Sequence, residues 1–418
     1  MTSSKITLNV QSEVGKLDAV LTHYPGPEVE NMTPRNAQRA LYSDILNLSI
    51  ARKEYDQLLG VLNKSSKVYE VSELLTDVLK RENCKETLIR KICEMEQVTG
   101  YIDYLMDQPA SALSKILIEG LPIQINTLTD FLRDEYYALQ PLYNFYFTRD
   151  PSVIIGNNAL ICKMANGVRV RESLILDAIF KSNLAFNTEV INSYDLSKNS
   201  SEVKIEGGDV LVIREDILLI GNGSRTSAQG IDMLVKEFCK TGSGSKHVII
   251  QQLPESPESF IHLDMVFTML DTNTAMVYKP LILESSPYQT VHMEIDNGKV
   301  VKISSASNIL SVTSKLGIEI EPIVCGGKAD EWDQEREQWH SGANFLAIAP
   351  GKVISYARNI HTLEELNKNG YEIVTASDII GEKCHLDSLG KCVITIEGSE
   401  LPRGGGGPRC MTMPLLRS

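Results

Sequence analysis

Asp209–Gly221, with the sequence DVLVIREDILLIG, decides the fold class of this chain. Two apolar runs are separated by Arg-Glu-Asp, a pattern that predicts two strands paired as an antiparallel hairpin. A helical pattern over 227–239 and a further strand, HVIIQQL at 247–253, follow. A hairpin, a helix and a third strand form a unit of mixed sheet, which a doubly wound parallel sheet does not contain.

Similar alternation of strands and helices covers most of the chain. Short β-rich runs predict further strands, namely SVIIG (152–156), ALICKM (159–164), AMVYKP (275–280), KVVKI (299–303), FLAIAPGKVISYA (345–357) and KCVITI (391–396). Helical periodicity predicts helices over 172–180 and 362–368. Near the N-terminus, short strands closed by Pro25-Gly26 precede an amphipathic segment over 35–48, which predicts a helix. The sequence therefore predicts an α/β fold of small mixed units.

The segment 71–142 differs from the rest of the chain. It has helical periodicity and almost no strand pattern, as in SELLTDVLKRENCKETLIRKICEMEQVTGYIDYLM and ASALSKILIEGL. We therefore expect a helical bundle over 71–142, inserted within a single catalytic domain that covers 1–418.

Composition argues against several classes of partner. The 418 residues carry a formal net charge of −13, and lysine and arginine are nowhere concentrated as a phosphate-binding groove requires. We expect neither nucleic acid nor a membrane as a partner. The first thirty residues lack the apolar run of a secretory signal, and no run approaches the length of a membrane span. Eight cysteines without a CxxC pair or a disulfide rhythm favour a reducing cytoplasm.

Cys410 directly follows a glycine loop in the segment RGGGGPRCMTMP (403–414). A flexible loop lets a ligand approach closely, so we expect an accessible thiol. Arg403 and Arg409 would favour the thiolate, which is the form that a nucleophile requires. A surface loop with an incidental cysteine is the alternative, whereas a phosphate loop does not match the glycine spacing.

His262 and Asp264 lie two residues apart in IHLDMVF (261–267). On a strand this spacing places both side chains on one face, where the histidine could move protons and the aspartate could hold a cation. A structural or metal-binding pair remains an alternative, although no other histidine forms a ligand-spaced cluster with it.

Two further acidic motifs are weak by themselves. Glu206 and Asp209 flank a Gly-Gly turn in IEGGDV, which is typical of a hairpin with solvated acids. Arg149 and Asp150 in NFYFTRDP (144–151) are typical of a strand end with a surface ion pair.

In this order, NFYFTRDP, IEGGDV, GNGSRTS, HLDMVF and GGGGPRCMTMP resemble the motif series of the arginine deiminases. SEVGKLDAVLTHYPG (12–26) and EREQWHSGANFLAIAPGKVISYARN (335–359) resemble the same family. The resemblance implies a hydrolase of amidine carbon–nitrogen bonds that degrades arginine. It also implies the pentein fold, a five-bladed α/β propeller of ββαβ-type modules with an inserted helical bundle.

The resemblance assigns a catalytic role to five residues. Cys410 would attack the guanidinium carbon of free L-arginine, giving an S-alkylthiouronium intermediate on the way to L-citrulline and ammonia. His262 would protonate the departing ammonia and then activate water, while Glu206 orients it. Asp150 and Asp264 would hold the guanidinium nitrogens through charge-assisted hydrogen bonds.

The resemblance also implies how the amino-acid end is bound. Arg169 and Arg225 would bind the substrate carboxylate. The remaining predicted substrate contacts are Asn144, Phe147, Leu41 and a backbone group near Gly404. No metal and no cofactor are implied, and homo-oligomers are common in the family. One departure is Gly405, because many members of the family carry an arginine at that position.

Two alternatives remain at this stage. Another guanidine-modifying enzyme would act on agmatine or a methylated arginine, or would transfer the amidino group to an amine. Arg169 and Arg225 argue against an agmatine enzyme, whose substrate has no carboxylate. The second alternative is a catalytically silent pentein that serves as a binding module, against which the complete cysteine, histidine, glutamate and two-aspartate set argues.

Overall fold

The computed structural model describes residues 5–34, 37–42, 44–132, 135–197, 200–241, 246–328 and 330–418. Five of its sheets share one arrangement, in which two strands pair antiparallel and one of them pairs parallel with a third strand. Their strands are Leu17–Thr22, Lys67–Glu70 and Met413–Arg417; Ser152–Ile155, Asn158–Ile161 and Glu189–Asn192; Val210–Arg214, Ile217–Asn222 and His247–Gln252; Phe267–Asp271, Thr274–Val277 and Glu321–Val324; and Leu346–Ala349, Lys352–Tyr356 and Cys392–Ile396.

The hairpin predicted over 209–221 is confirmed. Val210 pairs with Ile220 across its antiparallel strands, and Ile217 pairs with His247 in the parallel ladder beside it. The remaining strands either extend two of the five sheets or form two short pairs. They are Thr290–Asp296, Lys299–Ala306 and Glu372–Thr375 in the extensions, and Ile6–Thr7, Phe186–Asn187, Leu121–Pro122 and Tyr137–Leu139 in the pairs.

Helices connect the strands and cover the sheets. The α-helices among the described residues are Pro27–Glu30, Leu48–Ser65, Val71–Leu79, Glu82–Met95, Ile102–Met106, Ala110–Glu119, Leu128–Phe131, Val170–Ser182, Ser193–Leu196, Ala228–Thr241, Lys279–Ile282, Ile309–Lys315, Glu331–Trp339, Ile360–Lys368 and Ala376–Ile380. The helices predicted over 172–180, 227–239 and 362–368 are therefore confirmed to within two residues at each end.

The helix predicted over 35–48 is wrong. The helix begins at Leu48, because the side chain of Asn47 accepts a hydrogen bond from Ile50 N at 3.2 Å and caps it. The preceding residues that the structure describes form turns, and Arg35, Asn36 and Ser43 lie outside the described residues.

Five α-helices lie within the described residues of the segment 71–142. Their apolar residues, such as Leu75 and Leu117, pack in the same hydrophobic cluster as Leu160 of the neighbouring sheet. The segment therefore shares its core with the rest of the domain.

Buried Glu54 fixes the chain just before the C-terminal glycine loop. It lies on the helix Leu48–Ser65 and accepts hydrogen bonds from Ser399 N at 2.6 Å and Leu401 N at 2.9 Å. This carboxylate satisfies backbone groups at the start of the short 3-10 helix Leu401–Gly404, which leads into the loop.

Candidate active site

Cys410 lies between the glycine loop and the strand Met413–Arg417. Its thiol is 3% exposed and donates to Asp264 Oδ2 at 3.5 Å, and Asn344 Nδ2 lies 3.1 Å from Sγ. Backbone contact ties it to a second motif, since Arg149 N donates to Cys410 O at 3.1 Å. Cys410 is thus held from several sides.

The prediction of an accessible cysteine with a favoured thiolate is wrong for this arrangement. Burial, followed by the charges of Asp264 and Asp150, raises the pKa of the Cys410 thiol well above its usual value. Arg403 instead pairs with the surface carboxylate of Asp44. Arg409 pairs with Asp264, and its charge lowers the pKa of the thiol less than burial and the two carboxylates raise it. The sequence shows cationic neighbours but not the direction in which they point.

His262 and Glu206 form a buried ion pair. His262 Nε2 lies 2.9 Å from Glu206 Oε2, and its Nδ1 lies 3.6 Å from Asp150 Oδ1. Burial lowers the pKa of His262, but Asp150 and then the hydrogen bond to Glu206 outweigh burial and raise it to about 9. Burial raises the pKa of Glu206, but His262 and then Arg225 lower it to about 2. At neutral pH, imidazolium therefore faces carboxylate.

The backbone around His262 differs from the predicted strand. Leu263–Met265 is a 3-10 turn, and the strand begins only at Phe267. This turn interlocks with the Gly-Gly turn, because Leu263 N donates to Asp209 Oδ1 at 2.9 Å. Gly208 packs so closely that a Cβ there would lie 2.6 Å from the His262 ring.

The acids around the Gly-Gly turn are buried, not solvated as the pattern suggested. Glu206 and Asp209 are both completely buried. Burial is also the main reason why the pKa of Asp209 rises to about 7. Their environment therefore suits a functional centre better than a surface hairpin.

Asp150 is buried and pairs with Arg169, not with its neighbour Arg149 in a surface ion pair. Arg169 Nη1 lies 2.6 Å from Asp150 Oδ2, and its Nη2 lies 2.8 Å from Glu172 Oε2. The same Nη2 donates to Asn144 O and Phe147 O, each at 3.3 Å. The guanidinium of Arg169 is therefore fully occupied by protein acceptors.

Asp264, which contacts the thiol, has a matching arrangement. Its Oδ2 accepts from Arg409 Nη1 at 2.8 Å, and Arg409 Nε lies 3.0 Å from Glu13 Oε2. Among the described residues, Asp264 Oδ1 and Asp150 Oδ1 have no hydrogen-bond partner although both are buried. Each carboxylate thus has one oxygen anchored and one available.

Nine of the eleven predicted residues line one small inner cavity. They are Leu41, Asn144, Phe147, Asp150, Arg169, Arg225, His262, Gly404 and Cys410. The other two, Glu206 and Asp264, contact members of this lining. The inner cavity has a volume of about 20 Å³, which is room for roughly one water molecule.

A larger outer cavity of about 410 Å³ lies next to the inner one. The two share Leu41, Arg225, Ile261, Gly404 and Gly405 as lining residues. Leu41 has a φ of +66°, which is strained for a side chain of this type. These shared residues form the lip between the two cavities.

Three residues that hold the candidate site in place were not predicted from the sequence. Asn344 contacts the sulfur, Glu172 holds Arg169, and Glu13 holds Arg409. Glu172 could have been found, because it lies three residues after Arg169 on a helical pattern. Glu13 and Asn344 are far from their partners in the sequence, and no spacing indicates them.

A family model described as arginine deiminase matches residues 38–417. The chain belongs to the arginine deiminase family. An arginine deiminase of Listeria innocua is 34% identical over 98% of each chain, and one of Bacillus cytotoxicus is 32% identical over 99% of each chain. The family predicted from the five motifs is confirmed, and with it the prediction of a hydrolase.

Solved structures of the pentein superfamily have a similar fold. The N-terminal domain of ArgZ, described as an arginine dihydrolase of cyanobacteria, has a TM-score of 0.52 at 13% identity and covers 96% of this chain and 98% of its own. An amidinotransferase of Microseira wollei has a TM-score of 0.52 at 14% identity and covers 99% and 98%. The mixed α/β fold predicted for this arginine deiminase family member is therefore confirmed.

Among the described residues, no group of three or more histidine, cysteine, aspartate or glutamate side chains could hold a metal ion. In the same part of the chain, no helix has the length and apolar character needed to cross a membrane.

The raised pKa of Cys410 predicts a slow reaction with iodoacetamide at neutral pH. Only the thiolate reacts, so the alkylation rate of the free protein should still rise between about pH 8 and pH 10. Asp264→Asn should raise the rate at pH 8, because removing the carboxylate lowers the pKa of the thiol. Peptide mass spectrometry measures alkylation at Cys410 alone.

Asp195→Asn serves as the control, since it removes an exposed carboxylate on a remote helix. A rate that reaches its plateau below about pH 8 in the wild-type protein would contradict the assignment of a raised thiol pKa.

Proposed function

We propose that this protein hydrolyses free L-arginine to L-citrulline and ammonia through a covalent intermediate on Cys410. The observation that carries the proposal is the pair of buried carboxylates, Asp150 and Asp264: each has one oxygen with no hydrogen-bond partner among the described residues, and Asp264 also contacts the thiol through its other oxygen. Unpaired buried carboxylate oxygens are costly, and a planar guanidinium offers the donors that match them.

Substrate binding activates the nucleophile. The guanidinium cation offsets the negative charges of Asp150 and Asp264, which are the charges that raise the pKa of the thiol. The thiol of Cys410 then loses its proton to Asp264 Oδ2, which already accepts from it. The sulfur forms a bond with the guanidinium carbon and gives a tetrahedral adduct.

His262 completes both half-reactions. Its imidazolium donates a proton to the leaving nitrogen, the carbon–nitrogen bond breaks, and ammonia departs from an S-alkylthiouronium. Neutral His262 then takes a proton from water as the water oxygen bonds to the carbon. The carbon–sulfur bond breaks, the remaining hydroxyl proton of the adduct passes to the sulfur, and the thiol of Cys410 and citrulline result. Asp264 then loses the proton that it took from the thiol to solvent, which restores the starting charges. Glu206 at 2.9 Å stabilises the imidazolium before each cycle.

The amino-acid end of the substrate lies toward the lip. Arg225 is the cation best placed for the carboxylate, since it lines both cavities and lies 3.8 Å from its nearest carboxylate partner, Glu206. Arg169 would have to exchange a protein acceptor to take the role assigned to it. Leu41, Asn144, Phe147 and the backbone near Gly404 would enclose the remainder.

We also propose an architecture, a cellular location and an oligomeric state. The five similar sheets would be the blades of a five-bladed α/β propeller, with the helices of 71–142 as an inserted bundle. Eight free cysteines favour a cytoplasmic location. A homo-oligomer stays a prediction.

The function is tested by citrulline and ammonia release from L-arginine, with agmatine and a peptidyl arginine run in parallel. Equal amounts of both products should form from L-arginine alone. Cys410→Ala should lower kcat by at least about a thousandfold, because no other group replaces the nucleophile.

Cys84→Ala is the matched control, since that half-buried cysteine lies outside the site and should leave the rate unchanged. Turnover of agmatine in place of L-arginine would overturn the substrate assignment. No turnover of any of the three would favour a binding module.

Glu206→Gln should lower the pKa of His262 from about 9, because the hydrogen-bonded carboxylate is one of the groups that raise it. The imidazolium would then be lost at a lower pH, and kcat at pH 8 should fall by about tenfold or more. Selective labelling of histidine and NMR titration measure the change. Glu189→Gln, at an exposed residue that lines neither cavity, is the control. An unchanged titration of His262 would contradict the ion pair.

A further inference from the structure

The outer cavity contains a cation that no carboxylate neutralises. Arg358 lines this cavity, between the strand Lys352–Tyr356 and the helix Ile360–Lys368. Its Nη1 donates to Gly398 O at 2.8 Å, and its Nη2 lies 3.3 Å from His340 Nε2. In the described part of the chain, no carboxylate lies within ion-pair distance of Arg358, although the charge of Glu54 acts on it and Asp44 and Glu258 line the same cavity.

His340 fixes Arg358 without cancelling its charge. Burial, followed by the charges of Arg358 and Arg336, lowers the pKa of His340 to about 4. The imidazole is therefore neutral at pH 7, and its Nε2 accepts a hydrogen bond from the guanidinium. Two neutral acceptors hold Arg358 in place, and its positive charge stays available to a ligand.

The sizes of the two cavities imply that a substrate pauses outside. The inner cavity of about 20 Å³ holds roughly one water molecule, whereas the outer one, at about 410 Å³, is in the range of small-molecule sites. An arriving amino acid must therefore rest in the outer cavity until the lip at Leu41 and Gly404 opens. Arg169 is occupied at that stage by Asp150 and Glu172.

We propose that the outer cavity is an encounter subsite for amino-acid zwitterions, in which Arg358 binds the α-carboxylate of L-arginine before entry and of L-citrulline before release. The inference rests on the proposed function, whose substrate and product it concerns. A guanidinium with free donors suits a carboxylate, and Met265 and Trp339 give the cavity an apolar wall for the aliphatic chain. Arg225, shared by both cavities, would then receive the carboxylate as the substrate moves inward.

The test compares Arg358→Gln and Arg358→Lys with Arg336→Gln, which removes the same charge from a nearby exposed position outside the cavity. L-Citrulline binding is measured by calorimetry, because this readout does not depend on turnover. Agmatine, which lacks the carboxylate, is measured as a competing ligand. Arg358→Gln should weaken citrulline binding and lower kcat/KM for L-arginine by about fivefold, with kcat within about twofold.

Arg358→Lys should restore most of the lost citrulline affinity. The Arg336→Gln variant should bind citrulline as the wild-type protein does, and the Arg358→Gln variant should bind agmatine as the wild-type protein does. Equal losses for agmatine and citrulline, or equal effects of the Arg358 and Arg336 variants, would overturn the subsite. Unchanged citrulline binding in Arg358→Gln would do so as well. Failure of the wild-type protein to form citrulline from L-arginine would instead count against the proposed function.

Discussion

The site depends on two carboxylates that are buried on either side of a thiol. Asp150 and Asp264 each have one oxygen anchored by an arginine, and that arginine is in turn held by a glutamate. Removing charged groups from water is costly unless they are paired, so these chains of alternating charge make the arrangement tenable. They leave one oxygen of each carboxylate without a partner, and a cation can complete the set.

The same constraint explains the state of the nucleophile. A thiol between two carboxylates in a buried site resists ionisation, and burial itself is the largest cause. In the proposed mechanism, Cys410 therefore stays in its unreactive thiol form until a cation binds. His262 responds in the opposite direction, since the same carboxylate charge of Asp150 favours its protonated form. The charge of Asp150 thus affects the ionisation of both the proposed acid and the proposed nucleophile.

Tight turns position the side chains of the candidate site around the inner cavity. The hairpins, the alternation of strands and helices, and the helical segment follow from apolar periodicity, which the sequence displays directly. The motifs also predicted which residues meet at the inner cavity. Periodicity could not predict that His262 and Asp264 lie on a 3-10 turn, because packing against Asp209 and Gly208 decides that conformation.

The direction of side chains was the second feature that the sequence could not predict. Arg403 and Arg409 both lie near Cys410 in the chain, yet one points to Asp44 at the surface and the other to Asp264. Glu13 lies almost 400 residues before Arg409, as the sequence separation of 396 shows, so their contact exists only in the folded state. The sequence also did not show where the helix that ends at Ser65 begins. Capping by the side chain of Asn47 starts that helix at Leu48, and the described residues of the amphipathic pattern before it do not form a helix.

The most direct test of the paired-carboxylate account is a crystal structure of the Cys410→Ala variant with L-arginine. We expect the guanidinium to be held by the Oδ1 atoms of Asp150 and Asp264, with its central carbon facing the position of the missing sulfur. A guanidinium bound elsewhere, or an inner cavity that stays empty at saturating L-arginine, would contradict it.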